Sequence, residues 1–322
     1  MTSLPLPDLG ALALAALAAF LLAGLLAPFE TLGWWAGWFG TADEVNDSSD
    51  AEVQSDESRP ARSYLVFLSG IHTVAGRSFA VRERAFLERL HSELPETRVV
   101  EVFPYSVTNR ALTGQRVFAR FWRWALARKL GRRQLAGLAG MLINLRNGWQ
   151  VAVSADRRYG PMYDAGSAEL FHSALRQAGY PVAGGVPIVL VGYSGGGQIA
   201  LGAAAPLSER TGARIDIVSI GGVMASPRTL HGLGRVVHLR GRNDRVARIG
   251  AAFFPGRWPL VRWSAWNRAM ADGRIEVVDL GEMDHTGRDG YLDDETRTAD
   301  GPSFMALTAS AVARLAREAE RR

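Results

Sequence analysis

Three side chains in this 322-residue chain have the types and surroundings of a nucleophile, a base and an acid. Ser194 lies in Gly192-Tyr193-Ser194-Gly195-Gly196, directly after the run Val186-Pro187-Ile188-Val189-Leu190-Val191. A serine at a sharp strand-to-helix turn needs tiny residues two positions to either side, so that strand and helix can close together. Gly192 and Gly196 meet that need. The pentapeptide alone is a loose pattern, because glycine-rich turns also follow strands in α/β proteins that have no serine chemistry. What gives it meaning is a set of partners. A serine hydroxyl is a poor nucleophile near neutral pH and requires an imidazole to take its proton. The imidazole in turn requires a carboxylate to hold its tautomer and stabilise the cation that forms. His285, in Gly281-Glu282-Met283-Asp284-His285, supplies the base, and Asp244, in Gly241-Arg242-Asn243-Asp244-Arg245-Val246, supplies the acid. Asp284 competes with Asp244 for the last role.

The elements that must position these groups read as alternating strands and helices from Ser63 onward, which predicts an α/β fold. Its expected core is a parallel, doubly wound sheet of about six strands with helices on both faces. Tyr64–Leu68 is the first strand and Arg98–Phe103 the second, with a helix carrying Phe79, Phe86 and Leu90 between them. The third strand precedes Ser194. Ile215–Ile220, Val236–Arg240 and Ile275–Leu280 are the fourth to sixth, and an amphipathic helix from about Ser303 to Glu318 closes the chain. In an open parallel sheet functional groups gather at the carboxyl ends of strands. Ser194, Asp244 and His285 follow the third, fifth and sixth strands. Asp244 is therefore preferred as the acid. Among the other histidines, His91 and His172 fall on helices, His238 inside a strand and His231 on the loop before it, where each serves packing or surface. His72 follows the first strand and, with Tyr193, is expected to line the site.

Ser69-Gly70-Ile71 after the first strand, the Gly192–Gly196 turn, the Asp244 loop and the late His285 together resemble the α/β-hydrolase fold family. The resemblance covers about Ser63 to Arg322. It implies an oxyanion hole built from the backbone N–H groups of Gly195 and Ile71. The chain departs from the family pattern in three respects: its first loop reads Ser-Gly-Ile in place of His-Gly, two N-terminal strands are missing, and the insertion precedes the elbow.

The rest of the chain speaks to location. Leu9 to Phe29 are 21 residues without a charged or hydrogen-bonding side chain, the length that spans a bilayer core. Trp34, Trp35, Trp38 and Phe39 follow as an interfacial aromatic belt. Residues 1–40 thus read as a single-pass N-terminal membrane anchor, and 41–62 as an acidic disordered linker, with seven acids between Thr41 and Ser58. Lysine and arginine are absent from Met1 to Ser58, so the positive-inside rule leaves the side of the membrane open.

Residues 63–322 form the catalytic domain, with a basic cap- or lid-like insertion at about 108–165. From Val102 to Ala155 there are nine Arg or Lys and no acid, and Arg116–Lys129 mixes cations with aromatics at helical spacing, a pattern suited to a membrane surface or to a packed lid. Ala251–Trp266, rich in Phe and Trp, is either the wall of an apolar pocket or a packed loop. The body is basic, but its scattered arginines match no nucleic-acid module, and a nucleic-acid partner is not expected. The absence of cysteine removes thiol catalysis, Cys-ligated zinc and disulfides.

These observations predict a membrane-anchored serine hydrolase acting on a small-molecule or lipid ester or thioester, with no metal or organic cofactor. Two other readings are an acyltransferase of the same fold and a non-catalytic, membrane-tethered binding domain.

Overall fold

The computed structural model describes residues 61–72, 81–105, 133–181, 184–299 and 301–322, from 133 to 143 the backbone alone, together with Leu14, Ala18, Phe29 and Leu32. Six strands form one fully parallel sheet: β1 (Ser63–Leu68), β2 (Thr97–Val102), β3 (Ile188–Tyr193), β4 (Ile215–Ile220), β5 (Leu233–Arg240) and β6 (Ile275–Asp279), in the spatial order β2-β1-β3-β4-β5-β6. Strands buried on both faces require near-continuous apolar runs, and all six residues of β1 and of β3 are buried.

The period-2 alternation of the strands sorts their side chains into two cores. Tyr64, Val66, Leu68, Ile188, Leu190, Ile215 and Ile217 face one way, against α2 (Arg133–Ala155), α3 (Gly160–Gln177) and α4 (Gly196–Thr211). Leu65, Phe67, Val189, Val191, Tyr193, Val218 and Ile220 face the other, against α1 (Val81–Glu93) and α7 (Phe304–Glu320). On α1, Phe86 and Leu90 are buried as the sequence pattern predicts, with Leu87 beside them, while Phe79 lies outside the described residues. Between β5 and β6 run α5 (Arg245–Phe253), a 3₁₀ turn at Pro255–Arg257 and α6 (Ala265–Ala271).

The strand order decides where a site can form. From β1 the chain moves outward to β2, then returns to lay β3 on the other flank of β1 and continues away from it. The connections after β1 and β3 therefore leave the sheet on opposite faces, and a crevice opens between their carboxyl ends.

The first 40 residues and the linker up to residue 60 lie outside the described residues apart from the four isolated positions. Among the described residues no helix is long and apolar enough to cross a membrane. The expected insertion at about 108–165 divides: 106–132, including the basic aromatic stretch, lie outside the described residues, whereas Val151, Val153 and Tyr163 belong to the core. Where α3 meets α4, Gly202 offers no side chain and the buried Asp164 carboxylate occupies the space, accepting from Ser154 Oγ (2.8 Å) and pairing with Arg228.

His238 on β5 is fully buried, its Nδ1 3.2 Å from Ser219 Oγ. Burial, aided by Arg257 and Arg240, pushes its pKa down from 6.5 to about 3. The folded state therefore refuses a proton that the unfolded chain accepts below pH 6.5. Stability from this group is complete above that pH and falls as the pH drops toward the folded value. Each pH unit is worth up to about 1.4 kcal/mol, so urea titrations between pH 6.5 and roughly 4.5 are expected to show a loss of about 2 kcal/mol that His238→Gln flattens. An unchanged slope in the variant would refute this.

Candidate active site

Ser194 stands at the exit of β3 with φ 53°, a left-handed conformation that costs a residue with a Cβ and is rare outside functional turns. Its surroundings hold it there. The Ser194 N–H donates to Ile220 O (3.0 Å), and Ser194 O accepts from the amides of Gly197 (3.1 Å) and Val223 (3.2 Å). The two flanking glycines are required by contact. A Cβ on Gly192 would lie 2.6 Å from the carbonyl of Gly196, and one on Gly196 would lie 2.6 Å from Leu68 O.

His285 and Asp244 converge on this serine. Ser194 Oγ is 2.8 Å from His285 Nε2, and His285 Nδ1 is 2.9 Å from Asp244 Oδ2. A carboxylate only accepts, so Nδ1 carries the imidazole proton and Nε2 is left to accept the hydroxyl proton of Ser194. Asp244 is fully buried and caps α5, its Oδ1 accepting from the Ala247 amide at 2.9 Å. Burial by itself would raise its pKa. The bonds from His285, from the Ala247 amide and from the Tyr291 hydroxyl outweigh burial and hold the carboxyl below its ordinary range. Asp284, the competing acid, is solvent-exposed.

Two tyrosines fix this pair. Tyr193 lies on the α1/α7 face, where its ring stacks on the imidazole (centroids 5.9 Å apart, 22° between planes) and its hydroxyl donates to His285 O at 2.8 Å. It therefore holds the histidine from beneath rather than only lining the site. Tyr291 donates to Asp244 Oδ2 (2.7 Å) and accepts from the Gly241 amide (2.7 Å). Burial and the adjacent carboxylate raise the pKa of Tyr291 well above its ordinary value, so the phenol keeps its proton.

Across the crevice the β1 loop reaches Gly195: a Cβ there would meet Ile71 Cγ2 at 2.8 Å. Three groups hold this loop. Tyr105 donates to Ser69 O (2.7 Å), Asn147 Nδ2 to Ile71 O (2.7 Å), and the Gly70 amide donates to the buried carboxylate of Glu83 (3.1 Å). Gly70 is thereby committed. Among the described residues the amides of Gly195 and Ile71 meet no hydrogen-bond partner. His72 is partly exposed, 3.5 Å from Glu83 through Nε2 and edge-on to Tyr193. Through these two contacts it neighbours the site.

The sequence reading missed Tyr291, Glu83 and Asn147. Tyr291 lies six residues beyond His285 with no motif around it; Glu83 reads as an ordinary first-turn helix acid; Asn147 carries a weak signal as a polar residue in an apolar helix.

No protein-family model matches the chain, and no curated protein sequence matches it. Among the solved structures similar to it is a protein from Klebsiella pneumoniae subsp. pneumoniae MGH 78578 described as a dienelactone hydrolase. That chain is 14% identical, and the alignment covers 84% of this chain and 90% of the other at a TM-score of 0.38.

Proposed function

We propose that the protein is a serine hydrolase of the α/β-hydrolase type that cleaves a carboxylic ester or thioester through an acyl-enzyme. The observation that carries this reading is the hydrogen-bonded line Ser194 Oγ, His285, Asp244, at 2.8 and 2.9 Å, built on a serine held in left-handed backbone geometry.

The chemistry follows from the geometry. As Ser194 Oγ attacks the carbonyl carbon, its proton passes to His285 Nε2, and Asp244 stabilises the resulting imidazolium. The amides of Gly195 and Ile71, which meet no partner among the described residues, receive the oxyanion. Collapse of the tetrahedral species expels the alcohol or thiol, which takes the proton from His285. Water activated by the same imidazole then releases the acid. No step in this sequence requires a metal or organic cofactor.

The 21-residue apolar stretch from Leu9 to Phe29 supports a single-pass anchor that holds this domain beside a bilayer, and with it a lipid-derived acyl group as substrate. A fluorophosphonate probe incubated with the full chain tests the chemistry. The expected adduct, located by mass spectrometry of a digest, lies on Ser194; an adduct elsewhere, or none, would sink the reading.

A further inference from the structure

From Arg245 to Ala271 the chain holds five arginines and no acidic residue. On α5, Val246, Ile249 and Phe253 recur at helical spacing beside the strip that buries Ala247 and Gly250, and all three are exposed, Phe253 by 77%. An amphipathic helix normally turns its apolar stripe inward. This one shows a second stripe to solvent, with exposed Arg245 and Arg248 alongside. The following loop extends the surface with Trp258, with Leu260 exposed by 84% and with Trp263 exposed by 73%, and with the exposed cations Arg262 and Arg268.

That loop is built, not slack. Asn267 Nδ2 donates to the carbonyls of Trp258 and Val261, each at 2.8 Å, and Trp258 Nε1 donates to Ala252 O at 2.9 Å. Arg257 reaches inward instead, donating to Met224 O (3.2 Å) and lying 4.1 Å over the ring of Trp266. These bonds hold Leu260 and Trp263 outward in a defined shape. The surface starts at the residue after Asp244, at the carboxyl end of β5 and on the same edge of the sheet as Ser194.

We infer that this α5–α6 face docks the catalytic domain onto an anionic bilayer, with the tryptophans and Phe253 at headgroup level and the arginines on lipid phosphates. Charge complementarity selects the occupant: exposed arginines without a single acid among them fit a negatively charged surface, and exposed tryptophans suit the membrane–water boundary. The inference borrows from the proposed anchor only proximity. The 22 residues of 41–62 reach at most about 75 Å when extended, which keeps the face near any bilayer that holds residues 9–29.

The chain has no cysteine, so single labels can be placed cleanly. Full-length Phe253→Cys and Trp263→Cys proteins, and Ser310→Cys on the exposed side of α7 as control, carry an environment-sensitive fluorophore. Each is reconstituted into vesicles of pure phosphatidylcholine or of phosphatidylcholine with phosphatidylglycerol. Nitroxide-bearing lipid is expected to quench the labels at 253 and 263, but not at 310, in the anionic vesicles, and added salt to reverse it. Each arginine near an anionic surface favours the docked state by about five-fold, so Arg245→Gln with Arg262→Gln is expected to lower the docked-to-free ratio roughly 25-fold.

Labels that stay open to aqueous acrylamide in anionic vesicles would overturn the inference. So would labels shielded from acrylamide yet untouched by the lipid nitroxide, which would place the acidic 41–58 segment or a second copy on this face. Quenching of equal strength in pure phosphatidylcholine would overturn the anionic assignment. Flotation of the chain with phosphatidylcholine vesicles reports the anchor separately, and probe labelling of Ser194 reports the chemistry, so neither failure can be mistaken for this one.

Discussion

Ser194→Ala is expected to slow turnover of an activated ester such as a p-nitrophenyl acyl ester by about 10⁵- to 10⁶-fold. The loss is that large because the other parts cannot act in its absence. Without Oγ, His285 has no hydroxyl to deprotonate, and no covalent intermediate divides the reaction into two easier steps. What remains is water attack in a site that still holds Gly195 and Ile71, and such residual catalysis stands about 10³- to 10⁴-fold above water. The variant keeps its fold, since the three backbone bonds that pin residue 194 do not involve the side chain. Steady-state kinetics beside a thermal melt provide the check. A folded variant that retains a tenth of wild-type turnover would show that the hydroxyl is not the nucleophile.

Asp244→Asn is expected to cost about 10⁴-fold in kcat while the cap of α5 is retained. The surrounding donors dictate why. Oδ1 is claimed by the Ala247 amide at the start of α5, so an asparagine retains the helix cap only by placing its oxygen there. Its NH₂ group then faces His285 and Tyr291, whose hydroxyl loses its acceptor, about 1 to 3 kcal/mol. That amide donates, forces Nδ1 to accept, and moves the imidazole proton to Nε2, where it points at Ser194 Oγ and prevents it from giving up its own proton. Flipping the amide would restore the tautomer at the expense of the cap, about 1 kcal/mol. Comparison with Asp244→Ala separates the two effects: alanine loses cap and activity together, whereas asparagine loses activity and keeps the cap. If the asparagine variant lost its fold in step with its activity, Asp244 would be a structural cap and not the acid of a triad.

How much of this was legible in the sequence depends on how local each signal is. The six strands announce themselves because a strand buried on both faces must be a run of apolar, mostly β-branched residues. β4 has the expected ends, and elsewhere they differ by at most three residues, most at β5, which begins at Leu233 rather than Val236, where the ladder with β4 is irregular. Ser194, Asp244 and His285 were recoverable because each lies in the connection just beyond the carboxyl end of a strand, so the sheet brings them together whatever the intervening chain does.

Tyr291 and Glu83 obey no such rule. Their partners lie 47 and 13 residues away in sequence, and only the packed structure makes a tyrosine the second donor to Asp244 or a helix acid the clamp on Gly70. The aromatic segment from Ala251 to Trp266 was offered as a pocket wall or a packed loop, and it divides: Trp266 is buried while Trp258 and Trp263 are exposed. Outside a regular helix or strand there is no period by which sequence can tell inward from outward.

The left-handed backbone at Ser194 sets durability against reactivity within a single residue. A side chain in that conformation costs about 1 kcal/mol or more relative to glycine, which would rest there without strain. The fold is therefore less stable than it could be, by an amount comparable to a lost helix cap, at the one position where the hydroxyl must stand clear of the sheet. Selection for heat resistance alone would drift residue 194 toward glycine and give a sturdier protein that, on the proposed mechanism, is inert.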